Sequence, residues 1–138
     1  MGGRGKRIVL GLGFLAVLIL AGCQPARNNV GGGTGTPGGR EMLADMAELL
    51  RYAAAENRKP PARPGDLAEY EGPYPAASTG LANGEIGYVW GAPLGTEGNA
   101  VLAWEKKAEM EGGWVLLQGG AIREMTAEEF KAAPRAKK

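Results

Sequence analysis

From Ile8 to Ala21 the chain runs fourteen residues without a charge, and it stops two residues short of Cys23, its one cysteine. Ahead of this run, Arg4, Lys6 and Arg7 are basic and no residue is acidic. A membrane-spanning helix needs about 20 apolar residues, and this run is shorter and carries Gly11 and Gly13. A basic start, a short apolar stretch and small residues beyond it form the layout of a secretory signal. The folded body must therefore come from the residues beyond Cys23. A single cysteine allows no internal disulfide. The chain has no histidine, which removes imidazole ligands, the usual general base and every Ser-His or Cys-His pair.

An ordinary secretory signal ends on small residues and needs no cysteine. Here Leu20-Ala21-Gly22-Cys23 resembles the lipobox of bacterial lipoproteins at all four positions. The resemblance implies cleavage between Gly22 and Cys23, a thioether-linked diacylglyceryl group on Cys23, and acylation of the new amino group. The physics agrees, since one acyl chain holds a protein only marginally and two or more hold it stably. Residues 1–22 are then a lipoprotein signal peptide, and 116 residues lie outside the cytoplasm, tied to a membrane through Cys23. Loss of Arg4, Lys6 and Arg7 leaves 13 basic against 15 acidic residues, a charge of −2. Such a body is held by lipid rather than by a basic patch, and nothing in its charge suits nucleic acid. Gln24 follows the cysteine where a retention signal would place Asp. In a diderm host the family's sorting rule then implies the outer membrane, facing the periplasm.

Residues 23–40 hold the lipidated cysteine and a tether. Glycine stands at 31–33, 35, 38 and 39, with prolines at 25 and 37. This composition buries too little surface to offset chain entropy and behaves as a flexible coil reaching on the order of 20–25 Å. A phosphate-binding loop would need a Lys-Ser/Thr pair that the stretch lacks.

The spacing predicts one small α+β domain over 41–133. Apolar residues at 42, 43, 46, 49, 50 and 53 form one stripe of an amphipathic helix over 41–57. Asn57 is its expected left-handed stop, ahead of Pro60-Pro61. Residues 58–80 read as a long connection with five prolines between Pro60 and Pro75, in which "PGDLAEY" plants Leu67 and Tyr70 on the body. From Glu85 the period changes to two. "EIGYVWG", "AVLAWEKK", "GWVLLQ" and "AIREM" read as four antiparallel strands in a meander packed on the helix. Leu102 and Trp104 are expected on one face, Val101 and Ala103 on the other, and Gly119-Gly120 as a two-residue hairpin turn. Thr126 and Glu129 fit a capping box opening a short C-terminal helix through Phe130. Residues 134–138 read as a disordered basic tail.

The stretch "LADMAELLRYAAAENRKPP", then "GDL", then "YVWG", and the ending "GGWVLLQGGAIREMTAEEF", resemble the soluble head of bacterial pseudopilins and other prepilin-like proteins. The resemblance covers about two-thirds of the chain and rests on packing and turn residues such as Leu49, Tyr52 and Leu67. It implies a pilin-head-like fold and carries no functional residue over. A lipobox and a glycine-rich tether stand where a prepilin has its processing site and long hydrophobic stem, and Gly119-Gly120 stands where the family often has Asp-Gly.

Few residues suggest catalysis. Ser78 is the one serine and has no base near it in sequence. Glu128 and Glu129 are neighbours on a helix and do not face each other. Glu85, Glu97, Glu105, Glu109 and Glu111 surround the strands, but a four-stranded sheet with one main helix offers little cleft for a carboxylate pair. "GTEGN" lacks the oxygen density of a calcium loop. The expectation is a protein that is no enzyme and needs no metal or cofactor: a lipid-anchored envelope protein of binding or structural type, meeting a protein or a wall component. Trp90, Trp104 and Trp114 on adjacent strands are its candidate binding surface, unless they pack in the core. The alternatives are an accessory component of a type II secretion or pilus-like machine and, ranked below it, a small envelope hydrolase.

Overall fold

A computed structural model describes residues 37–138. The expected signal peptide, the expected cleavage and lipidation residues Gly22 and Cys23, and most of the expected tether therefore lie outside the described residues. What is described is an α+β domain: a four-stranded antiparallel sheet, helices on both its faces and a short C-terminal helix.

α1 covers Gly39–Ala55, so Gly39 and Arg40, expected in the tether, belong to the body. Met42, Leu43, Met46, Ala47, Leu49, Leu50 and Ala53 are its buried residues. The helix ends in a Schellman motif. The Arg58 N–H bonds the Ala53 carbonyl at 2.8 Å and the Asn57 N–H bonds Ala54 at 3.1 Å, with Asn57 at φ 54°. Asparagine tolerates that left-handed conformation because its short polar side chain adds little steric cost.

The stretch expected as a plain connection contains two helical segments. A 3-10 turn over Pro64–Glu69 starts on a proline. The Asp66 carboxylate accepts the Ala62 N–H at 3.0 Å, and Leu67 and Tyr70 are buried. α2 then runs over Pro75–Ala82, also opening on proline. Its N-terminal amide at Ala77 donates to Asp45 of α1 at 2.9 Å. Its Gly80 lies so close to Met42 that any side chain there would collide.

The strands β1 (Ile86–Tyr88), β2 (Val101–Glu105), β3 (Gly113–Leu117) and β4 (Ile122–Met125) pair in chain order. The register sets Ile86 against Glu105, Trp104 against Val115 and Trp114 against Glu124. One face carries Ile86, Tyr88, Leu102, Ala103 and Leu116 against α1. The other carries Val101, Val115, Leu117 and Met125, covered by Phe130 and Ala108. A register shift between Val101 and Ala103 breaks the alternation. Leu102 and Ala103 therefore share the α1 face while Val101 and Trp104 serve the other, which corrects the strict pattern expected for β2. A bulge adds one residue to one strand and turns everything beyond it over.

Two further expectations change. The Gly119-Gly120 turn is a three-residue loop, with the Leu117 N–H bonding Ala121 and the Gly120 N–H bonding Leu117, both at 2.8 Å. Gly120 takes φ 93°, as a type I turn closed by a left-handed glycine requires. The basic tail is part of the fold. α3 (Ala127–Ala132) opens on the expected Thr126–Glu129 capping box. Beyond it, Pro134–Ala136 lies parallel to the start of β2. The Val101 N–H bonds Pro134 at 2.8 Å and the Ala136 N–H bonds Val101 at 2.9 Å. β1 has already left that edge, and the tail satisfies the groups it would expose.

Candidate functional site

The three tryptophans are half-buried and form no common surface. Trp90 lies past the end of β1, its ring edge-on to Tyr88 at 5.4 Å. Trp114 packs at the border of the α1 face, with the Arg40 guanidinium 5.5 Å from its ring centre. Trp104 is on the opposite face. Its indole lies across Gly87 of β1, where any side chain would strike it. Its Nε1–H donates to Glu109 at 2.9 Å, Phe130 is 5.7 Å away, and Arg135 sits over the ring at 5.5 Å. Such an indole is committed to packing on several sides. The bulge in β2 and the shortness of β1 separate what even alternation would have aligned.

An open groove lies at one end of the sheet, between the 3-10 turn Lys106–Glu109, the start of β3, the end of β4 and α3. It measures about 630 Å³ and includes Lys107, Met110, Glu111, Glu124, Glu128 and Glu129 in its walls. Met110 is 84% exposed. Four carboxylates against one ammonium make this groove acidic. Glu129 is already engaged, accepting the Thr126 N–H at 2.8 Å. Nearby, hydrogen bonds from Lys106 and then from Trp104 hold the Glu109 carboxyl below its ordinary range. Sequence reasoning passed over this groove, because "AEMEGG" reads as a turn and its partners come from residues 124–129.

A second groove, of about 560 Å³, is walled by Arg58, Lys59, Pro60, Pro61 and Tyr70. Beside it Tyr52, Tyr70 and Tyr74 cluster with ring centres 6.0–6.5 Å apart. Arg58 stacks on Tyr70 at 5.7 Å and pairs with Glu69. Burial, with Glu69 adding to it, raises the Tyr70 phenol above its ordinary pKa.

Among the described residues, no three His, Cys, Asp or Glu side chains are placed to hold a metal ion. Ser78 is buried with no hydrogen-bond partner for its hydroxyl. Among the described residues no helix is long and apolar enough to cross a membrane. No family model, curated protein or solved structure matches this chain.

Proposed function

We propose that this is a lipid-anchored extracytoplasmic protein of the bacterial envelope, non-catalytic and of binding or structural type. The observation that supports it is Leu20-Ala21-Gly22-Cys23, set behind a basic start and fourteen uncharged residues. Diacylglyceryl on Cys23 holds the chain to the membrane. Residues 24–38 form the tether, and the α+β domain meets an envelope protein or a wall component. In a diderm host the anchor lies in the outer membrane and the domain faces the periplasm. The test is metabolic labelling with an alkyne palmitate analogue in the native host. Wild type takes the label, Cys23→Ser does not, and the N-terminal peptide of the mature protein begins at an acylated Cys23. An unlabelled chain that keeps residues 1–22 overturns the reading.

A second reading is an accessory component of a type II secretion or pilus-like machine. It is favoured by the order of elements, a long helix before a four-stranded antiparallel meander and a short C-terminal helix, as in a pilin-like head. Site-directed crosslinking from exposed Tyr52 to a pseudopilin subunit of the host supports it. Unimpaired secretion in a strain lacking this protein removes it.

A further inference from the structure

We propose that the first turn of α1 is a latch, opening and closing on the end of the sheet apart from the rest of the helix, and that the carboxylate of Glu105 holds it shut.

The turn has little else to hold it. It begins on Gly38 and Gly39, the residue type that loses most freedom on ordering, and Gly38 at the N-cap offers no side chain to the free amides. Arg40 and Glu41 are exposed, so no apolar side chain anchors the helix ahead of Met42.

Glu105, at the end of β2, supplies the missing hold. It is only 8% exposed. One oxygen accepts the Trp114 N–H at 2.7 Å, and the other lies 3.4 Å from the Lys107 ammonium. The same carboxyl fills the space that a methyl group on Gly39 would occupy. One side chain thus joins β3, the 3-10 turn and the start of α1, with its negative charge at the positive end of a 17-residue helix. Arg40 over Trp114 makes a second, exposed clasp. A charge set against a helix end and one cation–π contact are weak beside the buried Met42, Leu43, Met46, Leu49 and Leu50, so the residues ahead of Met42 belong to the low-stability end of the molecule. When it opens, Glu105 and the Trp114 N–H face solvent, and the segment ahead of α1 lengthens by the residues released.

Amide exchange on the full chain, followed residue by residue, tests the latch. In wild type, the amides of Met42, Leu43 and Ala44 should exchange at least about tenfold faster than those of Leu49, Leu50 and Ala53. Glu105→Gln keeps an acceptor for Trp114 and loses the charge. It should speed the first three amides by about tenfold and leave Leu50 and Leu116 within about twofold. Gly39→Ala should act like Glu105→Gln, because its methyl displaces the carboxyl. In a Glu105→Ala background the same methyl fills vacated space and should slow exchange again. Uniform rates along α1 in wild type, or an equal acceleration throughout α1 in Glu105→Gln, overturn the proposal. Should that variant not fold, wild type and exposed Arg40→Gln decide: Arg40→Gln should speed the same three amides by about threefold, and no change overturns it.

Discussion

Tyr88 shows how one side chain can set both a packing contact and a pH limit. Its phenol is 4% exposed and donates to the Ala92 carbonyl at 2.5 Å. Burial pushes its pKa well above the ordinary value. Unfolded, the group loses its proton near pH 10; folded, it keeps it to higher pH. Its contribution is therefore complete below about pH 10 and lost as pH rises beyond that. Tyr88→Phe should cost about 1 kcal/mol at neutral pH, since it leaves the Ala92 carbonyl unpaired. It should also make the alkaline fall in stability shallower by up to about 1.4 kcal/mol per pH unit. Urea titrations at pH 7 and at several points above pH 10 check both; an unchanged alkaline slope refutes the pH argument. The fates of single residues were legible where the determinant is local. Asn57 and the Thr126–Glu129 box need only their immediate neighbours. The separation of the tryptophans was not legible, because the face of Trp104 depends on a bulge between Val101 and Ala103 that no alternation signals.

The elements divide the same way. The four strands and the short C-terminal helix announce themselves by period and by cap. α2 does not: "PAASTGLA" has no apolar stripe, its amide partner Asp45 is 32 residues away, and its packing turns on a glycine against Met42. The tail misleads through its charge. Arg135 donates to Phe130 and Ala133 and lies 4.0 Å from the Phe130 ring centre, while Ala136 is 6% exposed. Ala136→Asp places a charge at a buried edge position and should cost about 2–4 kcal/mol. Removing residues 134–138 should destabilise further, because Val101 then loses both backbone partners. Chemical denaturation measures each, and a midpoint equal to wild type in the truncated chain would show the tail to be idle. Thr126→Ala should cost about 1 kcal/mol, read from the same curves.

At the scale of the molecule, two apolar clusters share one sheet. β3 gives Leu116 to one and Val115 and Leu117 to the other, so neither can melt without disturbing the strand they share. Unfolding followed by tryptophan fluorescence and by far-ultraviolet circular dichroism should give coincident curves. A fluorescence transition at lower denaturant would mean that packing around the tryptophans, which lie on both faces, loosens before the secondary structure melts. The sheet with a single helix expected from the sequence has one covered face; the second cover is supplied by α3, the 3-10 turn before β3 and the tail, pieces too short to read as a layer. The tail also fixes when folding can finish. Synthesis proceeds from the N-terminus, so Val101 is made before Pro134 and Ala136, the residues its backbone groups pair with. The open edge of β2 at Val101 therefore cannot close until the chain has been made as far as Ala136.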